Sequence, residues 1–274
     1  MSTSATQLEA RSTAAGFDEL FRRIASSTVV REIWRTALAE EYPELANPFS
    51  FVTRTELSTL AAAIGVKPSQ RLVDIGCGCG GPGLLLAAHA GASLDGIDIS
   101  AVAVDLATAS AAQRNMSSHA RFHVADAATT GLPSASYTGA VSIDALQLMP
   151  APVAVIAEVA RLLQPGGTFA FTTWCLSEPW RNRAVVPDYR PLLEAQGFAV
   201  LSYSEPDNWR ERQLHVYRLT RERSSELETE VGASIARLLV AEAEAAPDAL
   251  AKSSRIVAIA RLLVGHNAAI ANAA

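Results

Sequence analysis

Between Arg71 and Gly83 the chain reads Arg-Leu-Val-Asp-Ile-Gly-Cys-Gly-Cys-Gly-Gly-Pro-Gly, and the apolar run Leu84 to Ala90 follows. Few folds accept that order. It describes a buried strand that stops at a bend carrying glycines at 76, 78, 80, 81 and 83 and re-emerges as an apolar helix. Glycine turns the backbone through positive φ without a Cβ penalty. It also clears side chains away, so a ligand can touch the main chain. Asp98 closes a second strand, residues 92–98. An acid at that place can accept both hydroxyls of a ribose. Strand, glycine bend, helix and strand-terminal acid together form a nucleoside-binding unit.

Two kinds of ligand compete for that unit. Gly78-x-Gly80-x-x-Gly83 satisfies the dinucleotide pattern, and so does Gly76-x-Gly78-x-x-Gly81. Asp74 discriminates, because it ends the strand with a carboxylate beside the bend. A pyrophosphate would be repelled there, whereas a ligand with an ammonium and a sulfonium would be attracted. Val73-Asp74-Ile75-Gly76-Cys77-Gly78-Cys79-Gly80 resembles the first motif of the class I S-adenosylmethionine (SAM) dependent methyltransferases, strand-Asp-x-Gly-x-Gly-x-Gly, at every position. Three later stretches are similar to that family's third, fourth and fifth strands: Arg121 to Ala127, Tyr137 to Pro150, and Leu162 to Trp174. The alternative is a Rossmann-type enzyme with a nicotinamide cofactor.

The resemblance implies a cofactor site. The backbone of Gly76, Cys77, Gly78 and Gly80 would approach the methionine portion beside Asp74. Asp98 would take the ribose hydroxyls, with Ile99 against the adenine. Asp126 and the Ala127 amide would hold the adenine rim. Ser142 marks the end of the fourth strand, where the family holds the cofactor amine through main-chain carbonyls.

Composition excludes other classes. The chain has 274 residues, enough for one core with an appended subdomain. Its net charge is 23 − 28 = −5, without the basic footprint of a nucleic-acid partner. No apolar run reaches the roughly 18 residues of a membrane helix. The start, Met1 to Glu9, has neither a basic nor an apolar segment and reads as a disordered tail without a secretory signal. A cytoplasmic protein is expected, and a homodimer is compatible with it. Three cysteines make no disulfide framework. Cys77-x-Cys79 lacks partners at ligand spacing, so no metal is expected.

Hydrophobic spacing divides the chain. Residues 1–54 read as the tail and a helical cap, with apolar stripes at Phe17, Leu20, Phe21, Ile24 and at Val29 to Leu38, broken at Ser26-Ser27-Thr28. Residues 55–205 read as a cofactor-binding Rossmann-like core, in which strands and helices alternate to give a doubly wound α/β sheet. Residues 206–252 read as one helical insertion with Leu227, Val231, Ile235, Leu238 and Leu239 on a face. Residues 253–274 hold a last strand, Arg255 to Arg261, paired with the sixth, and a tail. The insertion and the N-terminal helices would form a lid over the strand ends, as long insertions in such sheets usually carry function.

Methyl transfer from a sulfonium is an in-line displacement that depends on positioning and water exclusion. The stretch after the fourth strand, Ala145 to Pro150, holds no histidine, which the family's sugar and phenol methyltransferases use as a base there. Neither Asn-Pro-Pro-Tyr nor Pro-Cys occurs, so nucleic-acid methylation is not expected. What remains is a nucleophilic carbon or nitrogen of a small molecule. Candidate acid–base residues are Asp144, Asp188, Tyr189 and Asp18. Trp174, Trp180 and Trp209 are candidates for stacking on an aromatic substrate. Phe17 to Arg23, Val30 to Arg35, Asn47 to Thr55 and Val186 to Arg190 resemble actinobacterial natural-product methyltransferases. Some of these C-methylate indole C3 of tryptophan-derived diketopiperazines, giving a pyrroloindoline. An N- or O-methyltransferase of another metabolite and a non-catalytic SAM-binding partner are the alternatives.

Overall fold

The computed structural model describes residues 13–44, 49–179 and 184–265. The segments expected as tails lie largely outside these residues, as does Trp180. Seven strands form one sheet in the order β3-β2-β1-β4-β5-β7-β6. They are β1 (Arg71–Ile75), β2 (Ser93–Asp98), β3 (Ala120–Val124), β4 (Tyr137–Ile143), β5 (Leu163–Leu176), β6 (Phe198–Ser204) and β7 (Ser253–Leu262). The first five pair in parallel, while β7 runs antiparallel to both β5 and β6. The chain steps from β1 outward to β3 and then returns to place β4 on the other side of β1. That reversal opens a crevice at the carboxyl ends of β1 and β4, where such sheets bind ligands.

Ten helices are described: α1 (Ala14–Ile24), α2 (Thr28–Leu38), α3 (Arg54–Ile64), α4 (Gly81–Ala90), α5 (Ala101–Gln113), α6 (Pro152–Leu162), α7 (Arg190–Ala195), α8 (Trp209–Glu222), α9 (Ser224–Val231) and α10 (Ala233–Ala251). Both sheet faces are covered. Leu57, Leu60, Leu84 and Ala87 from α3 and α4 pack on one face with Leu72 and Val141. Val155, Ile156, Val159 and Leu193 from α6 and α7 pack on the other with Phe169 and Phe171. Strands buried on both sides explain why β1, β4 and β5 read as nearly continuous apolar runs.

The helices before the sheet and those inserted before β7 share one apolar cluster. It contains Leu20, Phe21 and Ile24 of α1, Val30, Ile33 and Trp34 of α2, Val216 of α8, Leu227 of α9, and Ile235 and Leu239 of α10. Polar contacts stitch the same pieces together. The Glu230 carboxylate accepts from the backbone N–H of Thr28 (2.8 Å) and Val29 (2.9 Å), which opens α2, and from the Ser27 hydroxyl. An acidic group at a helix N-terminus satisfies donors that have no partner within the helix. The helical insertion expected over 206–252 is built of three helices. Breaks fall at Arg223 and at Gly232, whose φ of 84° no helix allows. α10 then continues through Pro247 to Ala251. Among the described residues, no helix is long and apolar enough to cross a membrane.

Candidate active site

The glycine bend forms as the spacing predicts. β1 ends at Ile75, and Gly76, Gly78 and Gly80 take φ of 72°, 52° and 78°. At Gly76 a Cβ would lie 2.6 Å from the Ala145 side chain, so the bend is packed as well as turned. The bend is pinned to β2 by the N–H groups of Gly76 and Cys77, which both donate to Ile97 O at 2.8 and 2.9 Å. Asp98 accepts from Gly78 N–H at 2.8 Å and from Ser100 N–H at 2.9 Å. The strand-terminal acid therefore fixes the bend and caps the entry to α5.

A cleft of about 270 Å³ opens over this bend. One end is walled by Asp74, Gly76, Cys77, Gly78, Asp98, Ile99, Asp126 and Ala127. Asp74 is 1% exposed, and its Oδ1 has no hydrogen-bond partner among the described residues. Burial, with Asp98 nearby as a second cause, pushes its carboxyl up to about 7. Burial likewise raises the Asp98 carboxyl above its usual range and the Cys77 thiol well above its own. Gly83 makes the Asp74 site possible, because a Cβ there would fall 2.3 Å from Asp74 Oδ2.

The other end of the cleft is aromatic. Phe17 and Phe21 of α1, Phe49 and Phe51 of the following segment, Trp174 of β5 and Tyr217 of α8 wall it. Phe51 is the hinge of this group, with ring centroids 5.6 Å from Trp34, 5.6 Å from Trp174 and 5.8 Å from Tyr217. Polar groups are sparse here and mutually bonded. Trp174 Nε1–H donates to Gln213 Oε1 at 3.1 Å, Gln213 Nε2 donates to Tyr217 Oη at 3.2 Å, and Tyr217 Oη donates to Glu242 Oε1 at 3.3 Å.

The expected site residues distribute unevenly over this geometry. Asp74, Gly76, Cys77, Gly78, Asp98, Ile99, Asp126 and Ala127 come together on one wall. Gly80 does not line the cleft. It caps α4, and its missing Cβ makes room for Ala107 and Phe122. Ser142 is fully buried and donates to Ile75 O at 2.8 Å, so it ties β4 to β1, and the strand's cleft-lining end is Ile143 and Asp144.

Among the expected catalytic residues, only Asp144 lines the cleft. Its Oδ1 accepts from Thr172 Oγ1 (2.6 Å) and Arg255 Nη2 (3.0 Å), and its Oδ2 from Phe51 N–H (2.8 Å) and Ser50 Oγ (3.1 Å). A carboxylate so occupied has no lone pair for a substrate proton. Asp18 instead accepts from Ser100 Oγ (2.6 Å) and Val102 N–H (3.1 Å) at the start of α5. Those bonds hold its carboxyl below the usual range, led by the one from Ser100, and fit a fastening of α1 to the core. Asp188 lies outside the cleft wall and is engaged by Arg190 at 2.8 Å, which lowers its carboxyl. Tyr189 is buried against Phe171 on the far face, and burial pushes its phenol up to about 12.

Of the stacking candidates, Trp174 reaches the cleft. Trp209 packs behind it with Leu176, Ala246 and Leu250, its Nε1 donating to Glu205 at 2.9 Å. The residues that reading missed are Ser50, Phe51, Gln213, Tyr217 and Glu242. A signal existed for two of them, since Gln213 and Tyr217 stand four apart on the buried stripe of α8, where an amide is out of place.

Residues 72–167 match the family model described as a methyltransferase domain. That stretch, about a third of the chain, is similar to methyltransferase domains. A sterol 24-C-methyltransferase, erg-4 of Neurospora crassa, is 32% identical over 123 residues, which are 45% of this chain and 32% of that protein. The chain spans about a third of the length of the curated relatives it matches first. Among solved structures, the [4+2]-cyclase SpnF superposes with a TM-score of 0.73 at 20% identity, covering 92% of this chain and 98% of that one. A geranyl diphosphate C-methyltransferase from Streptomyces coelicolor superposes with a TM-score of 0.61 at 14% identity, covering 87% and 99%.

The cofactor of this domain class is SAM, and the cleft's own groups fit it. An unpartnered buried Asp74 oxygen beside a second carboxylate, Asp98, is completed by a cation and opposed by a diphosphate. If SAM binds here, Gly76 and Gly78 would face the methionine portion with their main chain, and Asp98, Ile99, Asp126 and Ala127, which line the same wall, would face the nucleoside. Among the described residues, no group of three or more His, Cys, Asp or Glu could hold a metal ion.

Proposed function

We propose that the protein is a SAM-dependent methyltransferase acting on a small aromatic acceptor, with indole C3 of a tryptophan-derived diketopiperazine as the first acceptor to test. The observation that carries this is the continuity of the cleft, whose anionic end runs into the aromatic wall of Phe49, Phe51, Trp174 and Tyr217. SAM, when bound, supplies an electrophilic methyl. The chain's part is to hold an apolar ring against that methyl and to keep water out. Aromatic walls do both, since they bury a flat ring by offset or edge contacts and leave few groups to hydrate it. We also propose that the enzyme works in the cytoplasm.

Indole C3 is intrinsically nucleophilic, so its attack needs removal of the indole N–H proton but no strongly activated hydroxyl. The stretch after β4 offers Gln147, Leu148 and Met149 to the cleft and no histidine, which suits a carbon acceptor better than a sugar or simple phenol hydroxyl. Incubation with methyl-labelled SAM and a panel of indole diketopiperazines, phenols and amines tests the reading. Label in an indole diketopiperazine supports it. Label only in phenols or amines replaces the carbon acceptor by oxygen or nitrogen. Label in no member leaves a cofactor-binding protein without transfer.

A further inference from the structure

We propose that Asp144 is a positioning residue for the acceptor, holding residues 50–53 so that the Phe51 ring closes the aromatic end of the cleft. This rests on the methyltransferase reading above. The argument begins with the backbone. Asp144 is the first residue past β4 and takes φ of 54°. Residues with a Cβ seldom turn that way, although aspartate tolerates it better than most. Such a conformation persists where its surroundings over-determine it. Asp144 N–H donates to Thr172 O and to Thr172 Oγ1, both at 3.0 Å. Its carbonyl accepts from Gln147 Nε2 at 2.5 Å, and Gln147 Oε1 accepts from Thr173 Oγ1 at 2.9 Å. β5 and Gln147 therefore set the direction in which the carboxylate leaves the main chain.

That carboxylate closes a circuit. Its Oδ2 takes the Phe51 N–H and the Ser50 hydroxyl, and Ser50 Oγ accepts in turn from Val52 N–H at 3.1 Å. Thr53 N–H donates to Glu56 Oε2 at 3.1 Å, and Thr53 Oγ1 accepts from Glu56 N–H, the reciprocal pair that starts α3. Glu56 Oε1 lies 2.6 Å from Arg255 Nη1, and Arg255 Nη2 returns to Asp144 Oδ1 at 3.0 Å. Residues 50–53 are thus fastened by Asp144 at one end and by Glu56 at the other, with one arginine between the two acids.

The circuit fixes two walls at once. The bond to Phe51 N–H places that residue's backbone, and its ring then stands edge-on to Trp174 at 82° with centroids 5.6 Å apart. The guanidinium that Asp144 holds lies 5.3 Å from the same Trp174 ring. Asp144 is also joined to Ala145, the residue that packs where a Gly76 Cβ would be. A ring seated on Phe51 and Trp174 is thereby registered against the glycine bend, where the methyl donor is proposed to bind. Near-attack alignment of this kind is lost with small displacements.

Asp144→Asn tests this. An amide has one acceptor oxygen, which the Arg255 cation keeps, so residues 50 and 51 lose theirs. With an indole diketopiperazine as acceptor, KM should rise severalfold, as in Phe51→Ala, while S-adenosylhomocysteine affinity stays near wild type. Added to Phe51→Ala, the substitution should change KM less than about twofold, because residues that act as a unit are not additive. Amide hydrogen exchange at Phe51 should quicken, with Gly76 and Cys77 unchanged. Should Asp144→Asn fail to fold, Ser50→Ala removes one bond to the carboxylate and no buried charge, and smaller shifts in the same directions are expected. Additive losses in the double variant, an unchanged acceptor KM or wild-type exchange at Phe51 would each overturn the proposal. A wild type that labels no acceptor fails differently, removing the methyltransferase reading and this role with it.

Discussion

Arg255 on β7 and Asp144 at the end of β4 meet across β5 with Nη2 and Oδ1 3.0 Å apart, and Arg255 Nη1 lies 2.6 Å from Glu56 Oε1 on α3. All three side chains are buried, with Arg255 1% exposed. Its guanidinium also stands 5.3 Å from the Trp174 ring centroid. β7 enters the sheet only after the helical insertion, so the last strand supplies the cation that two earlier acids require. Asp144 in turn holds the Ser50–Phe51 segment over the cleft.

Arg255→Met should therefore be strongly destabilising, because it leaves Asp144 and Glu56 buried without their cation. Breaking such a pair costs about 3–5 kcal/mol, or roughly 10 °C in Tm for a chain of this size. Chemical denaturation would measure it. A loss below about 1 kcal/mol would show that the carboxylates find other partners.

Asp74 should make cofactor binding pH-dependent. Its carboxyl rises from 3.8 in the unfolded chain to about 7 in the fold. The folded state thus holds a proton that the unfolded state has lost between those values, and stability should fall as pH rises through that window. A cationic ligand needs the ionised form, so S-adenosylmethionine affinity should rise between about pH 5 and 7 and level off above. Calorimetry at pH 6 in buffers of different ionisation enthalpy should register proton release on binding. Asp74→Asn should remove both effects and weaken binding, and a pH-independent wild-type affinity would refute this assignment.

Asp98→Ala should weaken S-adenosylhomocysteine binding by tenfold or more. It would remove the proposed acceptor for two ribose hydroxyls, about 1 kcal/mol each, and also frees Gly78 N–H from the bond that shapes the bend. Unchanged affinity in a calorimetric titration would place the ribose elsewhere.

Phe51→Ala should raise KM for the aromatic acceptor severalfold while leaving cofactor affinity near wild type. Phe51 touches Trp34, Trp174 and Tyr217 with its ring at the aromatic end, the opposite end of the cleft from Asp74 and Asp98. Steady-state kinetics with the acceptor varied separates the two. A loss of cofactor affinity instead would mean that the two ends of the cleft are not independent.

The wall of the cleft that carries Asp74 and Asp98 was legible because its chemistry is local. Asp74, the glycines after it and Asp98 sit in 25 consecutive residues, and each has a backbone reason to be there. The pairing of β7 with β6 was legible from β-branched content, whereas its insertion against β5 for nine register pairs was not. The aromatic end was hidden because it is assembled from Phe17, Phe51, Trp174, Gln213 and Glu242, which only tertiary packing brings together. Acids near motif-like segments misled. Asp18 and Asp188 satisfy a helix start and an arginine, roles that any exposed carboxylate can fill. α10 runs through Pro247 because Ala243, Ala246 and Leu250 bury that face.

Calorimetric titration of the protein with S-adenosylmethionine, S-adenosylhomocysteine and NAD tests the account most directly, since two buried carboxylates at the bend are held to choose between these ligands. Binding of both sulfur nucleosides with no heat from NAD is the predicted result. Tight binding of NAD with none of the thioether would contradict it.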